Sequence, residues 1–213
     1  MTGADAIIKC LEAEGVTTVF GYPGVAICPF YNSILESDIR TVLIRTEQNA
    51  AHAASGVARM TNRPGVCAVT SGPGATNVIT GIATAFADSI PLICTTGQVN
   101  SELLGSDVFQ EEDITGAVES FVKYSYLVKD PNEIPRIFKE AFHIANTGRK
   151  GPVLIDVPID IQNGPVNKFK YPEEVSLRTY KPTIKGHAVQ IKKVIRELEK
   201  AKRPIICAGG GVL

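Results

Sequence analysis

Apolar residues along this chain gather into short unbroken runs, and the stretches between those runs carry helical spacing. Val16 to Phe20, Thr41 to Ile44, Val66 to Val69, Leu92 to Thr95, Tyr124 to Val128 and Val153 to Val157 read as strands. Asp5 to Glu14, Ala26 to Leu35, Glu47 to Met60, Asn77 to Ala87 and Asn132 to Ala145 read as helices. Strand and helix alternate six times, which predicts an α/β fold: a six-stranded parallel sheet covered by helices on both faces, in three layers. The strands lack polar alternation, as strands buried on two faces should. Gly97 to Glu119 is weakly periodic and is expected to be loop with one short helix. Loops of that length in a domain are usually functional or mobile.

The pattern changes after Ile161. Pro165, Pro172 and Pro182 stand among charged and polar residues, so the stretch reads as a linker. A helix from His187 to Lys200, a strand from Pro204 to Cys207 and the run Gly209-Gly210-Gly211 follow. The expected organisation is therefore one α/β domain over 1–162, a linker over 163–184, and over 185–213 the start of a second α/β domain, cut short before its sheet. The length of 213 residues agrees with one such domain plus part of another.

Composition narrows the function classes. The chain is 44% hydrophobic and 21% charged, ordinary for a protein with a sizeable core. Its formal net charge is zero, which gives no footprint for nucleic acid and leaves self-association open. Five scattered cysteines form no C-x-x-C pair, so neither a zinc site nor a disulfide framework is expected. The N-terminus enters a helix without a secretory leader pattern, and no apolar run reaches membrane-spanning length. A cytoplasmic location is the expectation.

Candidate chemistry gathers at strand ends. Gly21-Tyr22-Pro23-Gly24, the turn after Val69 and the turn after Thr95 all lie on one rim of a parallel sheet, where ligands bind. Glu47 opens an alanine-rich helix on the same rim. From the segment alone it is either a helix-start carboxylate favoured by the macrodipole or a functional group. Gly72-Pro73-Gly74 lacks the lysine of a phosphate loop, and Pro73 removes a donor, so the loop suits a flat, largely neutral ring. His52, His143 and His187 have no acidic partners at ligand spacing, and no metal site is predicted. No Ser-His-Asp or Cys-His arrangement follows from spacing.

Longer motifs add what spacing cannot. Besides Gly21-Tyr22-Pro23-Gly24, they are Glu47-Gln48-Asn49-Ala50-Ala51-His52-Ala53-Ala54 and Thr70-Ser71-Gly72-Pro73-Gly74-Ala75-Thr76-Asn77. Phe86-Ala87-Asp88-Ser89-Ile90-Pro91, Thr96-Gly97-Gln98-Val99, Gly105-Ser106-Asp107-Val108-Phe109-Gln110-Glu111 and Gly148-Arg149-Lys150-Gly151-Pro152-Val153-Leu154-Ile155-Asp156 complete the set. Together they resemble the thiamine diphosphate-dependent enzymes, and among them the acetolactate synthase (acetohydroxyacid synthase) catalytic subunits. The likeness covers the pyrimidine-binding domain, from about Met1 to Gln162.

The resemblance implies roles. Glu47 matches the glutamate that contacts N1′ of the aminopyrimidine ring and promotes the tautomer that activates the thiazolium C2. Tyr22, Pro23, Gly24 and Val25 match one wall of the cofactor site; Thr70, Pro73 and Asn77 match the other. Phe109 and Gln110 match residues facing the thiazolium and the acceptor, so Glu47 and Gln110 are the expected catalytic pair. Arg149 matches an arginine contacting FAD. Implied substrates are pyruvate and a second 2-oxo acid, in a homodimer or tetramer that can bind a small regulatory subunit. Mg²⁺ and the diphosphate are held in that family by a later Gly-Asp-Gly…Asn segment, which this sequence does not contain. The chain alone is therefore expected to be inactive. Thr46 stands where the family usually has His, Val25 where it has Gly or Ala, and Lys150 where it has Pro; these departures bear on substrate choice. Two other readings stay open: another thiamine diphosphate-dependent 2-oxoacid decarboxylase or oxidase, and a freestanding binding module.

Overall fold

The structure is a computed structural model that describes residues 1–212. Its elements in chain order begin with α1 (Gly3–Ala13), β1 (Thr18–Tyr22), α2 (Cys28–Ile34), β2 (Arg40–Leu43), α3 (Glu47–Thr61) and β3 (Gly65–Val69). Next come α4 (Pro73–Asn77), α5 (Ile79–Ala87), β4 (Leu92–Gln98), α6 (Ile114–Ala117), β5 (Tyr124–Leu127), α7 (Ile134–Asn146), β6 (Pro152–Pro158), α8 (Ile159–Asn163) and α9 (Ala188–Lys200). The six strands form one sheet in the order β2-β1-β3-β4-β6-β5. Every pairing is parallel. Helices α1, α2 and α7 pack together on one face, and α3 packs with α5 on the other. This is the predicted three-layer α/β/α arrangement. The central strands β3, β4 and β6 are buried at every position, which is why their sequences need no polar alternation.

The alanines of α3 have a structural purpose. Ala50, Ala51, Ala54 and Ala58 are buried, and Gly81 of α5 leaves no room for a Cβ beside Ala51. Small residues on both helices let them close against the sheet.

Several boundaries differ from the sequence reading. β1 lies two residues later than expected, at Thr18–Tyr22, so Gly21 and Tyr22 belong to the strand. They pair with Ala68 and Val69, and a Cβ at Gly21 would run into the Ala68 carbonyl, so only glycine fits. The helix expected over Asn77–Ala87 begins earlier and is broken in two, with Pro73 in the first turn of α4, where its missing N–H costs nothing. β4 runs three residues further, to Gln98, because β6 stays paired with it as far as Pro158. The long segment that follows holds α6 and two single 3₁₀ turns, Ser101–Leu103 and Glu119–Phe121.

The chain divides into two compact units, Met1–Leu177 and Arg178–Leu213. In the second, α9 carries Val189, Ile191, Val194, Ile195 and Leu198, all exposed. Residues 204–207, expected as a strand, run as irregular chain and pair with no strand among the described residues.

Candidate active site

Chain connections fix where a ligand can enter. From β1 the chain turns through α2 to β2 on one side, and from β3 it runs through α4 and α5 to β4 on the other. The carboxyl ends of β1 and β3 thus border a crevice where the strand order reverses. Tyr22 ends β1, and Pro23 and Gly24 follow it; Thr70 to Gly74 leave β3. The N-terminus of α3, which packs on both strands, supplies Glu47 as its first residue.

Glu47 is half-buried, and Thr46 before it makes no side-chain cap. The Glu47 carboxylate does not cap its own helix either. Its Oε2 accepts from Asn77 Nδ2 at 2.9 Å, which ties the start of α3 to the end of α4. The other oxygen, Oε1, lies 3.5 Å from where a Cβ at Gly74 would stand. One carboxylate oxygen is thus held by Asn77 and the other faces a glycine-lined wall.

Thr70 is the centre of that wall. It is buried, and its Oγ1 has no hydrogen-bond partner. A Cβ on Gly24 would lie 2.5–2.7 Å from the Thr70 side chain, and one on Gly74 would lie 2.6 Å from its Cγ2. Both glycines therefore form a cradle directly against the Thr70 side chain, and a side chain at either position would run into it. Tyr22 and Val25 stand exposed at its mouth.

The segment after β4 approaches the same turn. Gln110 adopts φ +62, uncommon for a side-chain-bearing residue, and a Cβ on Gly72 (φ +56) would lie 2.9 Å from Gln110 Cα. Such backbone persists where its surroundings over-determine it. Here Glu111 does so: its carboxylate accepts from the N–H of Gly105 and, at 3.2 Å, from that of Val108. Those bonds, Gly105 first, hold the Glu111 carboxyl below the usual range. Phe109, just before Gln110, is 87% exposed.

Residues 1–118 match the family model for the thiamine pyrophosphate enzyme, N-terminal TPP-binding domain. The chain belongs to that family. It is 54% identical to the probable acetolactate synthase large subunit of Methanocaldococcus jannaschii, over all of this chain and 36% of that protein. It is 48% identical to the acetolactate synthase large subunit of Corynebacterium glutamicum, over 34% of that protein's length. It is 49% identical to acetolactate synthase isozyme 3 large subunit of Escherichia coli, over 38%. The chain thus spans about a third of the length of these relatives.

The cradle fits the family's cofactor. Two glycines bring backbone close to a buried threonine whose hydroxyl has no partner, and the Glu47 carboxylate lies beside Gly74, a lining of close backbone and polar groups that suits a ring. The structure brings Tyr22, Pro23, Gly24, Val25, Glu47, Thr70, Pro73 and Asn77 to one rim, with Gln110 against Gly72. Arg149 is elsewhere. It precedes β6, at the amino ends of the strands, where Nε donates to Ser89 Oγ at 2.8 Å and Nη2 to the carbonyls of Phe86 and Ala87 at 3.4 Å. Among the described residues no three His, Cys, Asp or Glu side chains assemble as metal donors. No helix among them is long and apolar enough to cross a membrane.

Three polar residues that support the site have no role in the sequence reading. Gln98, Asp156 and Gln162 are each 2% exposed or less. Gln162 Nε2 donates to the carbonyls of Ala26 (2.7 Å) and Val157 (2.9 Å), and its Oε1 accepts from Phe30 N–H at 3.3 Å. A polar residue inside an otherwise apolar strand, such as Asp156 in Pro152–Pro158, was the available signal.

Proposed function

We propose that this chain is the pyrimidine-binding part of an acetolactate synthase-like carboligase that takes pyruvate and a second 2-oxo acid. The observation that carries the reading is the Glu47–Asn77 pair beside the Gly24–Thr70–Gly74 cradle. When bound, thiamine diphosphate supplies the chemistry that removes carbon dioxide from one 2-oxo acid and joins the two-carbon unit to another. Glu47 holds and returns a proton at pyrimidine N1′, and Asn77 keeps the carboxylate aimed by occupying its far oxygen. Tyr22, Pro23 and Val25 line the cleft from the β1 side, and Thr70 and Pro73 from the β3 side. Gln110 and Phe109 flank the side where the acceptor arrives.

Supporting the choice within the family are relatives in archaea and bacteria, matched over the whole of this chain, that carry the acetolactate synthase name. Those relatives are named large subunits, which supports a small regulatory partner here; a homodimer or tetramer is the assembly we assign. Diphosphate and Mg²⁺ we assign to residues outside these 213, so the isolated chain should form no acetolactate. FAD rests on Arg149 alone. That guanidinium is already engaged by Ser89 and two carbonyls. The location we assign is cytoplasmic.

Acetolactate formation from pyruvate, assayed in the natural-length protein with thiamine diphosphate and Mg²⁺, tests the reading. Glu47→Gln should lose at least about a hundredfold in kcat while binding the cofactor within a few fold. Production of acetaldehyde or acetate in place of acetolactate would turn the assignment to a decarboxylase or oxidase.

A further inference from the structure

Asp156 lies in the middle of β6, where apolar side chains are the rule, directly across the ladder from Thr96. Thr96 Oγ1 donates to its Oδ1 at 2.7 Å, and Gln98 Nε2 donates to its Oδ2 at 3.0 Å. The same Gln98 nitrogen donates to the Glu112 carbonyl at 2.8 Å, while Gln98 Oε1 accepts from Val99 N–H at 2.9 Å. Asp156 and Gln98 are both buried, and both donors and the oxygen of the amide are engaged inside the protein.

The arrangement has a direction. Glu112 stands two residues beyond Gln110, and Glu111 between them clasps the N–H groups of Gly105 and Val108. Residues 105–111 are thus closed on themselves by Glu111 and fastened to the sheet at their base by Gln98. A core that needed only filling would be served as well by apolar side chains, since burying a carboxyl is costly. A fully satisfied polar network instead selects one arrangement of what it holds.

We infer that Asp156 and Gln98 are positioning residues: Asp156 aims the Gln98 amide at the Glu112 carbonyl, and that bond sets the loop presenting Phe109 and Gln110 to the cleft. The inference rests on the proposed reading that Gln110 faces the acceptor side of the cofactor. Thr96 completes the set by occupying the second carboxyl oxygen, which leaves Asp156 one orientation.

The test uses the natural-length protein, with amide hydrogen exchange and steady-state kinetics read side by side. Gln98→Met keeps the volume and removes both donors. Exchange over 105–113 should rise about tenfold or more while β1 and β3 stay at wild-type protection, and KM for the 2-oxo acid should rise with kcat nearly unchanged. Asp156→Asn can still accept from Gln98 and donate to Thr96 Oγ1, so it should keep wild-type exchange over 105–113. Unchanged exchange in Gln98→Met, a rise spread evenly over the sheet, or a tenfold rise in Asp156→Asn would each overturn the inference. A rise confined to 105–113 with KM unmoved would uphold the positioning and discard the role given to Gln110.

Discussion

Asn77 and Glu47, separated by 30 positions in the chain, meet through one hydrogen bond of 2.9 Å at the mouth of the β1–β3 crevice. Asn77→Ala should leave the fold intact, because the residue is exposed, and should free Glu47 to swing. The expected loss is about tenfold or less in thiamine diphosphate affinity, the worth of one solvent-accessible bond to a charged group. Asn77→Asp should be worse, since it faces one carboxylate with another. Calorimetric titration of the two variants checks both the loss and the order.

Gly74 and Thr70 give a coupled prediction. Ala at position 74 would place its Cβ 2.6 Å from Thr70 Cγ2, an overlap that costs about 1–3 kcal/mol in a packed region. Thr70→Ser removes that methyl. The double variant Gly74→Ala/Thr70→Ser should therefore recover most of the stability and cofactor affinity lost by Gly74→Ala. A double-mutant cycle by denaturant unfolding measures the coupling. Purely additive losses would mean that the wall is looser than these contacts require.

Much of this site could be read from residues alone, and the reason is topological. A parallel sheet carries every strand-to-helix turn to one rim, so the glycine turns after β1 and β3 and the helix-opening Glu47 had to converge. Gln110 was different. Its approach to Gly72 depends on a clasp by Glu111 and on a bond from Gln98, neither of which has a periodic signature; only the likeness to known enzymes marked it. Asp156 and Gln98 are 58 positions apart, and no local rule pairs a carboxyl in one strand with an amide in another. The β1 boundary was misplaced because Val16 and Thr17 are β-branched like true strand residues. What decides is the pairing of Gly21 and Tyr22 with β3.

Stability should depend on pH through Asp156. Burial pushes its carboxyl up from an ordinary 3.8 to about 7, against the hydrogen bonds from Thr96 and Gln98, which pull down. Below about pH 4 both native and unfolded chains hold the proton. Between about 4 and 7 only the native state does, so unfolding free energy falls as pH rises, by at most about 1.4 kcal/mol per unit, and levels off above 7. Asp113 acts oppositely: the Gly116 N–H and Thr115 hydroxyl hold its carboxyl low, so its contribution is lost only as pH falls below about 4. Urea unfolding at pH 5 and pH 8 should show the decline in the wild type and a flatter profile in Asp156→Asn.

Gln162 should be the most damaging polar residue to truncate. Its amide joins α8 to the turn Val25–Ile27 and to the start of α2, and a Cβ on Gly97 of β4 would run into the Ala26 carbonyl from the other side. The turn that carries Val25 is therefore pinned between the end of β4 and Gln162. Gln162→Leu keeps the bulk but strands the carbonyls of Ala26 and Val157 and the N–H of Phe30, each costing about 1–3 kcal/mol where water cannot reach. A drop in melting temperature of about 6–12 °C follows if the losses come to roughly 3 kcal/mol in a domain of this size. Gln162→Glu tests whether shape or donors matter. It keeps one acceptor for Phe30 N–H but sets its second oxygen against two carbonyls, so it should fall as far as Leu or further. A glutamate variant as stable as the wild type would show that the carbonyls of Ala26 and Val157 find water, and that Val25 is held by packing alone.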